Sequence, residues 1–474
     1  MAAAAAAGCA TRNRRPEEES GDPEVDVAIV GAGLAGLAAA HRVLQAGRTA
    51  VILESSARPG GRVLTLREPF AHGQHAEAGA IFVPNSHEIT RDWCDELGVE
   101  LGPAFLKIPG SAYYLRERLL AHNPFAADPE WPLELSDEER SLGLFGMFQR
   151  YALDGVQAER AHLEKPDWSS PDVQRLDGQS FADFLRSRGA SPAAVEMLGL
   201  GYLGVMGDGI ESVSALAILR DLAGSDGLDS GRIVGGSSRL PEAMAEPLAA
   251  VLRHGAEVRA LEETGRGVRV RFTRAGAPAV ITARRAIVTL PTTVLRTLEL
   301  PAGLSTAKQR AIAEVGSTSV TRTYLQCARR FWEPYAMVDV DRPRLQIMDA
   351  TSAQEGEAGI LEGYAAGATA RELDAQTEAE RGRRFAAEVE RIFPGAREAI
   401  ERTASHSWDL DPHARGGYAW FRPGQMAAHF AALGSAEGRL HFAGEHTSRW
   451  TGWMQGALKS GERVASEALA ALSG

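Results

Sequence analysis

The sequence predicts an α/β protein with two domains, and three observations indicate this fold. Near the N terminus, an apolar strand runs into a glycine-rich turn, a helix pattern and a second apolar strand, all within residues 25–54. Near the C terminus, a strand leads to Gly444 and a helix pattern begins at about Met454. Between these units, the pattern is helical from about 135 to 225, and alternating runs indicate strands within 303–433. The first unit is typical of a Rossmann-like domain. The chain of this domain is predicted to be interrupted by a mixed α+β domain with a helical part.

Composition argues against several classes of protein. Lys and Arg number 51 and Asp and Glu number 62, so the formal charge is 51 − 62 = −11, which disfavours binding to the phosphates of a nucleic acid. Hydrophobic residues make up 44% and charged residues 24% of the chain, as in ordinary globular proteins. No stretch approaches the ~20 apolar residues of a membrane span. Cys9, Cys94 and Cys327 form no CxxC pair, so we expect a protein of the reducing cytoplasm without a disulfide framework.

The first 23 residues are rich in alanine and then in charge. Their arginines follow the alanine run, whereas a secretory signal places its positive charges before the apolar segment. We therefore expect a disordered tail over residues 1–23.

The Rossmann-like domain is predicted to be discontinuous, because two alternating runs in the middle of the chain indicate strands that belong with the two terminal units. We expect this domain to comprise three pieces, 24–80, 232–302 and 434–474. The other two stretches, 81–231 and 303–433, are predicted to form a substrate domain.

The glycine-rich turn has the spacing of a dinucleotide site. Gly31, Gly33 and Gly36 follow the first strand directly, where glycine permits a tight turn, close approach to a pyrophosphate and packing of the helix on the strand. Glu54 ends the second strand, 21 residues after Gly33, at the place from which a carboxylate binds a ribose. The turn serves nicotinamide and flavin dinucleotides equally, so it leaves the choice between them open.

Two further segments resemble the flavin-containing amine oxidase superfamily. These are "ARPGGRV" at 57–63 and "LHFAGEHTSRWTGWMQGALKSGERVASEAL" at 440–469, at opposite ends of the chain. The resemblance implies FAD as the cofactor. It also implies non-covalent binding, because Gly417 stands where monoamine oxidases have the cysteine that bonds to the flavin. Related enzymes are commonly dimers, so a homodimer is expected.

The turn and the resemblance together predict the residues that contact the cofactor. They are Gly31, Gly33, Ala35, Gly36, Glu54, Ser55, Gly61, Arg62, Gly79, Ala80, Val258, Gly444, Glu445, Trp453 and Met454. In this set, Glu445 is expected to reach the ribityl hydroxyls, and the backbone of Val258 to contact the adenine end. No metal site is expected, because His72 and His75 lack partners at the spacing of known sites.

The resemblance also implies the residues at the reacting end. Tyr418 and Trp453 match the two aromatic residues that face each other before the flavin and hold an amine; alternatively, both rings belong to the core. Arg322, nine positions before Phe331, takes the place of a lysine that holds a water against flavin N5. An arginine there is planar and remains protonated, so it either orients water or turns into a salt bridge.

Phe82 is the residue that bears on the substrate. In the related L-amino-acid oxidases, an arginine at this position of "EAGAIFVP" clamps the α-carboxylate, which phenylalanine is unable to do. We therefore expect an oxidase of an amine without an α-carboxylate, which forms an imine and reduces oxygen to hydrogen peroxide. Three alternatives stay open: an L-amino-acid oxidase with its clamp elsewhere, for which Arg322 is the candidate; a dehydrogenase with another electron acceptor; and a flavin-binding protein without activity.

Overall fold

The computed structural model describes residues 24–104, 110–123, 127–164, 166–224 and 230–473. The tail predicted over 1–23 lies outside the described residues. Within the described ranges the fold is mixed α/β, as predicted, with two large sheets and a helical region.

The strands are, in chain order, β1 (Val25–Val30), β2 (Ala50–Leu53), β3 (Thr65–Leu66), β4 (Ala76–Glu77), β5 (Phe82–Pro84), β6 (Leu101–Pro103), β7 (Gly110–Leu115), β8 (Arg118–His122), β9 (Ser230–Ile233), β10 (Leu252–Arg253), β11 (Ala256–Glu263), β12 (Val268–Arg274), β13 (Ala277–Val288), β14 (Gly316–Ser317), β15 (Val320–Cys327), β16 (Tyr335–Val340), β17 (Leu345–Asp349), β18 (Gly359–Ala366), β19 (Ile400–Ser407), β20 (Ala419–Trp420) and β21 (Leu440–Phe442).

The α-helices are α1 (Leu34–Gln45), α2 (Glu88–Glu96), α3 (Asp137–Phe148), α4 (Asp154–Glu164), α5 (Pro171–Asp177), α6 (Phe181–Ser187), α7 (Pro192–Leu198), α8 (Gly201–Gly204), α9 (Ala215–Gly224), α10 (Arg239–Ala245), α11 (Thr292–Leu295), α12 (Thr306–Glu314), α13 (Gly367–Asp374), α14 (Glu378–Ile392), α15 (Gln425–Gly434) and α16 (Met454–Ser473). Short 3₁₀ or π turns lie at Gln149–Leu153, Glu246–Leu248, Ala396–Ala399 and Glu445–Thr447.

The first large sheet gathers strands from three distant parts of the chain. Its order is β10–β2–β1–β13–β12–β11, and β21 pairs with the end of β13. The pairs around β1 are parallel, with Ile29 opposite Ile52 on one side and Ile287 on the other. Strand β2 is apolar and buried throughout, and β1 is apolar and buried from Val27 to Val30, as is usual for parallel strands that are covered on both faces. The boundaries predicted for the two domains stay a prediction.

Helix α1 packs against α16, and the close approach depends on a glycine. A Cβ at Gly461 would fall 2.3 Å from the carbonyl oxygen of Ala35, so only glycine fits at this crossing without a shift of one helix. The N-terminus of α1, with Gly33 as its cap, is thereby held next to the ends of β1 and β2.

The second large sheet has the order β19–β15–β18–β17–β16–β7–β8 and is antiparallel except between β16 and β7. Helices α3–α9, within 137–224, pack around their own apolar core to one side. A small three-stranded sheet, β5–β9–β6, places Phe82 directly opposite Arg232. Within the ranges described, the structure contains no helix of the length and apolarity that a membrane crossing requires.

Candidate active site

One connected cavity contacts both the glycine-rich turn and the predicted reacting end. The residues predicted from the sequence that line it are Gly31, Gly33, Ala35, Glu54, Ser55, Gly61, Arg62, Gly79, Ala80, Phe82, Arg322, Tyr418, Gly444, Glu445, Trp453 and Met454. Gly36 and Val258 are not part of its wall. Gly36 packs instead on the turn, where a Cβ would fall 2.0 Å from the carbonyl oxygen of Gly31, and Val258 is buried in β11.

At the dinucleotide end, the backbone holds the Glu54 carboxylate in place. Oε2 accepts a hydrogen bond from the N–H of Ala32 at 2.7 Å, and Oε1 accepts one from the N–H of Ser56 at 2.8 Å. A carboxylate has about four acceptor sites, so capacity for ribose hydroxyls remains. A Cβ at Gly33 would meet nothing within 4 Å, which leaves open space beside the N-terminus of α1 for an anionic group.

Glu445 joins the segments that contain Tyr418 and Trp453. Its Oε1 accepts from Arg62 Nη1 at 2.9 Å and from the N–H of Ala419 at 3.2 Å, while Oε2 accepts from the N–H of Gly452 at 2.8 Å. Burial alone would raise the pKa of Glu445, but Arg62, His446 and these N–H groups outweigh it and hold the pKa below its ordinary value. The residue predicted to reach the ribityl hydroxyls therefore also positions both aromatic walls.

Tyr418 is fixed by hydrogen bonds at its hydroxyl. The hydroxyl donates to the carbonyl oxygen of Val205 at 2.6 Å and accepts from the hydroxyl of Tyr364 at 3.1 Å. Tyr364 and Val205 also line the cavity. Tyr418 is half-buried: it lines the cavity and also packs against a buried apolar cluster that includes Val320 and Trp408.

Trp453 is held in place by a hydrogen bond to Asp221. The indole Nε1 donates to Asp221 Oδ1 at 2.8 Å, and the Tyr202 hydroxyl donates to Asp221 Oδ2 at 2.7 Å. Burial raises the pKa of Asp221, and the two hydrogen bonds oppose this shift. The His87 ring meets the indole edge to face, with centroids 4.9 Å apart.

Arg322 takes part in a buried ion pair beneath the cavity. Its Nη1 lies 3.0 Å from Glu362 Oε1 and donates to the carbonyl oxygen of Glu77 at 3.0 Å, and its guanidinium lies 4.7 Å from the centroid of the Tyr364 ring. Burial would lower the pKa of Arg322, but Glu362, Tyr324, Tyr364 and Glu77 together outweigh it, and the net shift of the pKa is upward. Of the two arrangements predicted for this arginine, the structure shows the salt bridge, while the side chain still lines the cavity.

Phe82 lies against a second buried arginine. The Arg232 guanidinium is 4.9 Å from the centroid of the Phe82 ring and donates to the carbonyl oxygen of Ala350 at 3.2 Å. Phe82 lines the cavity, whereas Arg232 does not. Burial lowers the pKa of Arg232, and Glu362, Glu77 and Asp349 oppose the shift.

The sequence analysis missed five residues at this site: Tyr364 and Asp221, which orient the rings; Glu362 and Glu77, which surround Arg322; and Arg220, which lines the cavity. Only the pair Arg220–Asp221 gave a signal in the sequence. These two are the only charged residues in "ALAILRDLAG", and adjacent opposite charges inside an apolar helix indicate buried polar contacts.

The chain matches a known protein family over most of its length. The profile of the family described as flavin containing amine oxidoreductase matches residues 34–469. An L-amino-acid oxidase of Notechis scutatus scutatus is 28% identical over 470 residues, which cover 95% of this chain and 87% of that protein. An L-amino-acid oxidase of Siganus canaliculatus is 27% identical over 454 residues, or 93% and 84% of the two chains.

Solved structures show the same fold. Cyclohexylamine oxidase from Brevibacterium oxydans superposes with a TM-score of 0.81 at 21% identity, and the match covers 95% of this chain and 100% of that one. Wild-type putrescine oxidase bound to putrescine superposes with a TM-score of 0.79 at 23% identity and covers 94% and 99%. At these identities the likeness concerns the fold alone.

Proposed function

The chain belongs to the flavin-containing amine oxidoreductases and is a flavin-dependent oxidase, and on this basis we propose that its substrate is an amine without an α-carboxylate. In this proposal FAD is bound non-covalently, the amine becomes an imine that water hydrolyses, and oxygen is reduced to hydrogen peroxide. FAD, when bound, supplies the acceptor for the hydride that leaves the carbon bearing the amine.

The cavity suits FAD at its dinucleotide end. The N-terminus of α1 provides free N–H groups for a pyrophosphate, Gly33 leaves space for its approach, and the Glu54 carboxylate faces the same turn. Heat or acid precipitation of the protein should release a yellow chromophore into solution. A flavin that stays with the precipitate would contradict non-covalent binding.

The surroundings of Gly417 support non-covalent binding. A Cβ there would fall 2.6 Å from Val320 Cγ2 and 3.1 Å from the carbonyl oxygen of Thr318, so a cysteine would not fit without a local shift. Cys94 and Cys327 are buried and do not line the cavity.

Phe82 is the observation on which the choice of substrate rests. An α-carboxylate that entered beside Phe82 would lose its hydration and gain no ion pair from that residue, at a cost of several kcal/mol. Arg322, which lines the cavity, is the candidate to replace the missing clamp, but Glu362 and the Glu77 carbonyl already occupy its Nη1. An amine without the carboxylate avoids this loss of hydration and needs no ion pair.

The amine must be neutral before it releases a hydride. The rings of Tyr418 and Trp453 hold it by shape and by their electron-rich faces, and neither provides a strong base at neutral pH. We therefore expect the rate of flavin reduction to rise with pH as the free amine becomes more abundant.

The test compares L-amino acids with the amines that form from them by decarboxylation. The quantity measured is the rate at which each compound bleaches the flavin in the absence of oxygen. The amine of each pair should bleach the flavin faster than the amino acid does. Phe82→Arg should reduce the difference between the two rates, because it restores a partner for the carboxylate. Phe82→Leu, which stays apolar, is the matched control and should leave the preference unchanged. A wild-type preference for an L-amino acid over its amine would overturn the proposal.

L-Amino-acid oxidation is the second candidate, because the relatives named above that bear this activity align with more than nine-tenths of the chain. If Arg322 has become the carboxylate clamp, Arg322→Met should abolish turnover of amino acids selectively. If Arg322 orients water near N5, the same variant should slow reoxidation by oxygen and spare anaerobic reduction. The homodimer and the cytoplasmic location stay predictions.

A further inference from the structure

Arg220 is a buried cation without a partner at the Trp453 end of the cavity. Only 5% of its surface is exposed, and its side chain lines the cavity. Its Nε and Nη1 are enclosed and have no hydrogen-bond partner among the residues that the structure describes. Asp221, the next residue, accepts the hydrogen bond from Trp453, which places Arg220 near the predicted reacting end.

The surroundings of Arg220 are aromatic or positively charged. The guanidinium lies 5.4 Å from the ring of Trp168 and 5.3 Å from that of Phe430. Arg449, which also lines the cavity, is the charged neighbour that affects Arg220, and burial together with Arg449 lowers the pKa of Arg220 to about 10. Within the described ranges no carboxylate pairs with Arg220, although Asp221 is the next residue of the same helix.

Two rings do not replace a counter-ion. A guanidinium that has left water needs an anion or several hydrogen-bond acceptors, and cation–π contacts compensate only in part. Two other arginines that line the cavity differ in this respect: the buried Arg322 pairs with Glu362, and the half-buried Arg62 pairs with Glu445. The partner of Arg220 must therefore enter through the cavity that it lines.

We propose that Arg220, assisted by Arg449, forms a subsite for the carboxylate at the far end of an amine substrate. This inference deepens the proposed function and rests on it: the oxidised carbon bears the amine and no carboxylate, and the acid lies at the other end of the carbon chain. The substrate class is then an ω-amino carboxylate. The same cation repels a second ammonium group, so diamines are disfavoured.

The experiment uses three series of equal chain length, from three to six carbons: alkylamines, ω-amino carboxylates and α,ω-diamines. Anaerobic flavin reduction gives kcat/KM for each. At the best chain length, the ω-amino carboxylate should exceed the alkylamine by about tenfold or more, and the diamine should be the poorest. Equal values for the ω-amino carboxylate and the alkylamine at every length would overturn the subsite.

Arg220→Met should remove this advantage while the alkylamine keeps its value, and Arg220→Lys should restore part of it. Arg186→Met, which removes an exposed arginine of the helical region, is the control and should change neither. If Arg220→Met lowers both substrates equally, the arginine has a structural role and the subsite is refuted. The wild-type series decides the matter even if this variant fails to fold.

A binding measurement separates this inference from the proposed function. Alkyl carboxylates that lack the amine, such as pentanoate, should raise the Tm of the flavin-loaded protein and shift the flavin spectrum, and Arg220→Met should abolish both effects. This outcome would support the subsite even if no amine bleached the flavin. Chloride at equal ionic strength is the comparison: if it acts as strongly as pentanoate, the site takes an inorganic anion and the substrate assignment is wrong.

Discussion

Arg62 and the buried Glu445 form an ion pair whose loss should affect both aromatic walls. Glu445→Gln places an amide N–H₂ group where the carboxylate accepts three hydrogen bonds. We expect the free energy of unfolding to fall by about 1–3 kcal/mol, measured with urea. The control is Glu462→Gln, because the side chains of the Arg42–Glu462 pair are more exposed, at 40% and 27%, and this pair should contribute less than about 1 kcal/mol. Equal losses in the two variants would contradict the role assigned to Glu445.

The rings of Tyr418 and Trp453 are expected to act on the substrate rather than on the fold. Tyr418→Ala and Trp453→Ala should slow anaerobic flavin reduction far more than they weaken FAD binding. Tyr418→Phe keeps the ring and loses only the hydroxyl contacts, so it should retain most of the rate. Unchanged reduction in both alanine variants would assign the rings to the core.

The Arg322–Glu362 pair should show strong energetic coupling. Removal of one partner leaves a buried charge alone, so Arg322→Met should destabilise the protein by about 3–5 kcal/mol. The double variant with Glu362→Met should be less destabilised than the sum of the two single variants, although Arg232 then loses part of its compensation. Urea unfolding of the four proteins measures the coupling, and strict additivity would contradict it.

At the scale of elements, the turn between β1 and α1 tolerates little change. Gly36→Ala would force its methyl group against the Gly31 carbonyl and displace α1 from the dinucleotide end. We expect FAD affinity to fall by about tenfold or more, because the N–H groups of the turn lose their alignment. Gly265→Ala, where a Cβ meets nothing within 4 Å, is the control. Retention of flavin during dialysis gives the comparison.

The sequence was informative wherever contacts are local. The glycine spacing predicted the turn and the cofactor end of the cavity, because strand, turn and helix follow one another in the chain. The helical pattern predicted over about 135–225 contains α6 and α7, and the side chains of Ser180 and Ser191 accept hydrogen bonds at the starts of these two helices.

Contacts between distant parts of the chain were not predictable in the same way. Arg232 faces Phe82 only because β5 pairs with β9, and Asp221 meets Trp453 across 232 residues. Neither distance in the sequence nor residue type specifies such a pair, since many arginines and aspartates were available. The contact between Arg232 and the Phe82 ring was therefore not predicted from the sequence.

At the scale of the whole molecule, buried histidines should make the protein sensitive to acid. Burial lowers the pKa of His75, His406 and His446 to about 4 each. The unfolded chain protonates its histidines below about pH 6.5, whereas the folded chain takes up these protons only near pH 4. The unfolded state therefore binds more protons between these values, and stability is lost as the pH falls from 6.5 to 4.

His446→Gln removes one of these groups and should reduce the loss of unfolding free energy between pH 7 and pH 5. Urea unfolding of the flavin-loaded protein at pH 7 and at pH 5 measures this loss of unfolding free energy. An unchanged pH dependence in the variant would show that His446 is not among the groups responsible.

The order of strands in the first large sheet, which contains β1 and β21, has a consequence for the synthesis of the enzyme. Strand β1 ends at Val30, whereas β21 begins at Leu440, so the ribosome makes about 410 residues between these two strands of the same sheet. At 5–20 residues per second, roughly 20–80 s separate Gly31 from Glu445. During this interval the nascent chain therefore has only half of the predicted flavin site. Until the later strands are made, β1 and β2 also lack some of the strands with which they pair in the folded sheet. The predicted flavin site is therefore complete only after Glu445 has been synthesised, so tight flavin binding must follow that point.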